Sequence, residues 1–182
     1  MIKARYALIE EILKNSESLF WEDAVNEWDI VGFDVDDDCS SKCVCGKEDI
    51  KYLFTIKNRE NGNVLDPIGS KCIKKFGRED LSDEVDVCEQ MSKLLDCVKD
   101  RKFVEFNSKL FSRKLLKYLY DNGCFYANEY NRYNPENDYK FLLEMFNMRS
   151  EPTPRQNNKI TALIMSSIKP FCRTKLQEMK QK

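Results

Sequence analysis

Apolar residues recur along the chain with two periods, and the change between them divides it. Ile2, Tyr6, Ile9 and Leu13 keep helical spacing, so residues 2–14 form an expected amphipathic helix, and Trp21, Ala24, Val25 and Trp28 predict a second, short one. Ile30 to Val35 is a strand candidate. Tyr52, Phe54 and Ile56 then alternate with more polar neighbours, Asn61-Gly62 is the pair a type I′ turn favours, and residues 63–68 return as the second arm of a hairpin. In "IGSKCIKKF" Ser70 is expected to cap a helix with Cys72 in its first turn. Beyond Gly77 the period becomes helical: Leu81, Val85, Cys88, Met91, Leu95 and Val98 lie three or four apart, with Asp83, Glu84 and Asp86 where a helix dipole favours acids. Further helices are expected over residues 108–122, closed by Asn122-Gly123, and from Asp138 through Phe146. A last helix opens at Thr153, with Pro154 in the first position and Gln156 completing a capping box, and should run to about Lys169, where Pro170 bends or ends it.

These elements predict an α+β protein: a small antiparallel sheet within residues 1–78, followed by a mainly α-helical part over residues 79–182. A length of 182 residues suffices to bury a core without disulfide staples. The first residues mix Lys3, Arg5, Glu10 and Glu11 into the apolar ones, unlike a signal peptide, and no run reaches membrane-spanning length. A cytoplasmic protein with no membrane partner is therefore expected. In that reducing setting clustered cysteines suggest metal and scattered ones core packing.

The net charge of -1 conceals an uneven distribution. Between Glu17 and Asp49 the acidic residues face only Lys42 and Lys47 as cations, and from Arg149 to Lys182 eight basic residues meet only Glu151 and Glu178. A basic tail suits a nucleic-acid backbone or an acidic partner, although solvated helix faces produce the same pattern.

The candidate chemistry lies first in the cysteines. Of the eight in the chain, Cys39, Cys43, Cys45 and Cys72 fall within one stretch, the first three in a single loop and the last at a helix start after the hairpin. Loop, hairpin and helix in that order suit a treble-clef-like, four-cysteine zinc knuckle, in which the helix N-terminus folds back over the loop. The spacing Cys-x3-Cys-x-Cys-Gly departs from the usual Cys-x2-Cys. Four thiolates would close the coordination sphere, making the expected zinc structural and not catalytic. Cys88 lies on an apolar stripe, and Cys97, Cys124 and Cys172 lack ligand-spaced neighbours, so these are read as packing.

The chain has no histidine, which excludes serine-histidine and cysteine-histidine catalysis. The remaining catalytic candidates are Asp34 and Asp36, which with Asp37 and Asp38 could gather Mg2+ as nucleases do, or form only a solvated acidic turn. For nucleic acid, "FYANEYNRYNPENDY" offers Tyr130, Arg132 and Tyr133 for stacking on unpaired bases, with Lys109, Arg113, Lys117, Arg155 and Lys159 as candidate phosphate contacts. Tyrosines covering a core edge are the plainer alternative.

With "WEDAVNEWDIVGF", "CVCGKEDIKYLFTIKN" and "IGSKCIKKF" in view, residues 21–76 resemble small zinc-knuckle proteins carried by bacterial phages and plasmids. The whole chain is also similar to anti-CRISPR proteins that inhibit type II RNA-guided DNA nucleases. That resemblance implies a guide-RNA-loaded nuclease as partner and an inhibitor that acts on, or cleaves, the guide RNA. The alternatives are a non-catalytic zinc-dependent binding module and an acidic nucleic-acid mimic blocking a DNA channel.

Overall fold

The computed structural model describes residues 2–99 and 104–180. They form two compact units. The first comprises residues 2–88 and the returning segment 176–180; the second comprises residues 89–99 and 104–175.

The first unit follows the apolar pattern closely. Helix α1 spans Ile2–Lys14 and buries Leu8 and Ile12, and the short helix α2, Trp21–Ala24, passes through a 3-10 turn into strand β1, Trp28–Val35. Strand β2, Tyr52–Asn58, lies between β1 and β3, Val64–Gly69, in an antiparallel sheet of order β1-β2-β3. Phe33, Phe54, Ile56 and Ile68 turn to its buried face, beside Trp28. The hairpin turn differs from the expected type I′ pair. Residues 59–63 intervene, Gly62 alone of Asn61-Gly62 has a positive φ, and the buried Asn58 side chain accepts from the amides of Glu60 (2.8 Å) and Asn61 (3.2 Å). A side chain that satisfies two loop amides favours the wider turn over a two-residue one.

Helix α3, Ser70–Ile73, starts one residue earlier than Ser70 as a cap would require. Gly69 is its N-cap, and Cys72 lies in its only turn. Helix α4, Glu79–Lys99, likewise starts earlier than expected, with Glu79 and Asp80 in its first turn, and buries Leu81, Val85 and Cys88. The segment 176–180 belongs to the first unit, where Cys88 Sγ lies 3.8 Å from Met179 Sδ and Lys180 reaches Asp34.

The second unit is helical. Helix α5 is Arg113–Asp121, not 108–122, because the Ser112 hydroxyl accepts from the Leu115 amide and sets the start. Lys109 therefore lies before this helix and not on it. Helix α6 runs Pro135–Asn147: Asn134 caps and Pro135 takes the first position, a stronger start than Asp138, which is buried one turn in. Helix α7, Pro154–Leu163, begins as expected, with reciprocal Thr153–Gln156 capping bonds. Pro170 does not end the path. A π-helical turn, Ile164–Ile168, absorbs it, and α8 continues over Lys169–Lys180. Proline lacks an amide and its ring crowds the preceding turn, so one wider turn relieves both. Phe111, Leu115, Leu119, Leu142 and Ile168 are among the side chains buried in this unit. No described helix is long and apolar enough to cross a membrane.

Candidate metal centre

Cys43-Val44-Cys45-Gly46 forms a tight knuckle. The Gly46 amide bonds the Cys43 carbonyl at 2.7 Å, with Gly46 at φ +84°, a value at which a side chain would be strained. The Cys43 amide bonds the Lys47 carbonyl at 2.8 Å, and the Val44 amide reaches the Pro67 carbonyl of β3 at 3.0 Å. The knuckle is thus tied to the strand that leads into α3, and Cys72 on α3 arrives over it.

The Cys43, Cys45 and Cys72 sulfurs lie within 4.8 Å of one another, all three side chains buried. Cys72 Sγ is 3.7 Å from Cys43 Sγ and 3.4 Å from Cys45 Sγ. Sulfurs held about 2.3 Å from a tetrahedral zinc are separated by about 3.8 Å, so the spacing fits that ion. It is too long for a disulfide. The Gly69 amide donates to Cys43 Sγ at 3.3 Å, a bond suited to a thiolate. The Cys72 thiol, against the opposing effect of burial, draws the Cys43 pKa well down from the usual thiol range, and Cys72 is in turn pushed up by its neighbour. One sulfur carries charge readily, and three would need a cation. The group could hold a metal ion and is compatible with zinc.

The expectation of four ligands is corrected to three. Cys39 lies outside the cluster, half-buried and at φ +51°. The cause is Asp36, whose Oδ2 accepts from the amide and hydroxyl of Ser40 (2.9 and 3.0 Å) and of Ser41 (2.8 and 2.6 Å), while Oδ1 accepts from the Asp38 amide at 3.1 Å. This clamp fixes the turn that carries Cys39. A Cys39→Ser variant should therefore retain its metal at close to wild-type stoichiometry, measured by elemental analysis of the purified protein; loss of the metal would make Cys39 a ligand after all.

The same clamp bears on the acidic candidates. Bonds from Ser41 first, and also from Ser40, hold the Asp36 carboxyl below the usual range. Asp34, two residues earlier on β1, is exposed, accepts from the Val35 amide and pairs with Lys180 at 2.5 Å. Both have internal partners.

The nucleic-acid candidates are similarly engaged within the second unit. Arg113 donates to Asn147 Oδ1 at 2.9 and 2.6 Å, Lys117 pairs with Asp121, and Lys159 pairs with buried Asp138 at 2.9 Å while lying 4.6 Å from the Phe141 ring centroid. Lys109 and Arg155 are exposed. Tyr130, Arg132 and Tyr133 come together in one exposed loop between α5 and α6.

Sequence reasoning missed Glu27, which it counted only as part of the acidic front. It is buried, and its two oxygens accept from the amides of Glu17 (2.9 Å) and Ser18 (2.8 Å) and from Asn58 Nδ2 (2.6 Å). Its position just before Trp28, a large residue bound for the core, was the available signal. No family model matches the chain, and no curated protein or solved structure does either, so its function has to be argued from its own residues.

Proposed function

We propose that the chain is a mobile-element counter-defence protein that inhibits a guide-RNA-loaded type II CRISPR nuclease by binding it, with a zinc ion on Cys43, Cys45 and Cys72 holding the sheet-bearing unit in shape. The partner rests on the resemblance carried by residues 21–76 and by the chain as a whole. Binding is favoured over cleavage of the guide by one observation: Asp36, one of the two candidate magnesium ligands, already accepts five hydrogen bonds from its own loop. Recruiting it to Mg2+ would dismantle the turn beside the knuckle. Three thiolates also give a zinc site a net negative charge, which weakens it as a Lewis acid for activating water. The metal is accordingly assigned a structural role.

The test is incubation with the guide-loaded nuclease, with and without chelation of Mg2+, followed by a DNA-cleavage assay and a denaturing gel of the guide. Lost DNA cleavage with an intact guide is the expected result. A shortened guide would overturn binding in favour of RNA cleavage, and unimpaired DNA cleavage would remove the counter-defence role.

A further inference from the structure

The loop over residues 126–133 is built with more internal support than an idle surface turn requires. Asn128 caps a 3-10 turn at Glu129–Asn131 through a reciprocal capping box. Buried Asn131 donates to the Tyr126 carbonyl and to Asp138 Oδ2, both at 2.8 Å, and Asn137 Nδ2 donates to the Asn131 carbonyl at 2.9 Å. Asp138, itself buried, is paired with Lys159. On this frame Arg132 and Tyr133 both adopt left-handed conformations, φ +56° and +58°, which non-glycine residues rarely take. Such strain persists only where the surroundings over-determine it, and it concentrates at recognition sites. The frame presents Tyr126, Tyr130 and Tyr133 with 56%, 91% and 67% of their surface exposed, beside the exposed Arg132.

We infer that this loop is a preformed hot spot for a protein surface, and that the surface belongs to the nuclease polypeptide itself; the inference rests on the proposed binding role. Tyrosine and arginine dominate protein-binding hot spots because each offers a large contact area with a polar tip, and a rigid loop loses little entropy on docking. Charge selects protein over RNA. Single-stranded nucleic acid needs a cationic groove beside its stacking rings. Here Glu129 and Glu136 flank Arg132, Glu136 also pairs with Lys140, and Lys117, Lys159 and Arg113 have partners within their own unit. The ring cluster is close to neutral, which a phosphate backbone does not reward and a protein surface tolerates.

The experiment measures binding of the full chain and of its Tyr130→Ala/Tyr133→Ala variant to immobilised type II nuclease, guide-free and guide-loaded, and to a labelled single-stranded RNA oligonucleotide. Both rings are exposed, so the variant should melt like the wild type by circular dichroism. The expected result is that the wild type binds guide-free nuclease, that the variant loses about 100-fold in affinity, and that free RNA is bound far more weakly. Equal binding of nuclease by variant and wild type would overturn the loop's role and leave the binding function standing. Tighter, tyrosine-dependent binding to RNA than to guide-free nuclease would replace the inference with a base-stacking platform. A wild type that binds neither form of the nuclease would remove the proposed function and the loop's partner together.

Discussion

Replacing Cys72 by serine should strip the metal from the protein and unfold its sheet-bearing unit. Cys72 is the one sulfur of the cluster that arrives from α3; Cys43 and Cys45 are on the knuckle, across the β2–β3 hairpin in sequence. Without it two sulfurs remain, too few to hold zinc against water. Apparent binding energies of structural zinc are about 10–16 kcal/mol, as large as the whole stability of a typical domain, about 5–15 kcal/mol. Loss of the ion leaves the buried Cys43 and Cys45 thiols without the cation that would neutralise them as thiolates. The measurement is metal content of the purified variant together with its thermal unfolding, and cobalt substitution of the wild type should give the intense charge-transfer absorption of thiolate ligation. A metal-free variant that melts like the wild type would refute the assignment.

The second large effect is expected at Glu27. Burial by itself would raise its pKa, but bonds from Ser18, Asn58 and the Glu17 amide outweigh burial and lower it from 4.5 to about 2. The sign follows: a carboxylate depressed in the folded state stabilises it fully above about pH 4.5, and the contribution is lost as pH falls toward 2. A shift of that size corresponds to about 3 kcal/mol at neutral pH. Glu27→Gln should cost roughly that amount, because the amide nitrogen turns a donor toward groups that themselves donate. Urea unfolding across pH reads both statements at once. The gap between wild type and variant should be wide at neutral pH and close as the solution is acidified; a gap independent of pH would show that Glu27 acts through packing and not charge.

Both predictions concern groups of different legibility. The cysteine cluster could be found in the sequence because metal ligation needs few residue types, at spacings set by a knuckle, a hairpin and a helix start. Its membership could not. Cys39 lies only four residues before Cys43, within ligand-like spacing, and the Asp36 clamp turns it aside. Glu27 and Asp138 read as ordinary surface acids in an acidic front and a helix start. Nothing local marks the Asn58 amide or the Lys159 ammonium that each meets in the folded chain.

What the amino-acid order determined alone was the set of locally encoded features. The α1 helix over Ile2–Lys14, the three strands and the Thr153 capping box all follow from periodicity and short-range hydrogen bonding, which act between neighbours in the chain. The tertiary structure decided which polar side chains became internal. It chose three cysteines from four, widened the hairpin turn around Asn58, carried the helix past Pro170 through a π turn, and set Arg132 and Tyr133 in left-handed conformations over a buried Asn131–Asp138 frame. Those outcomes depend on partners distant in sequence or on competition between alternative bonds, and that competition is settled only when the core has closed around it.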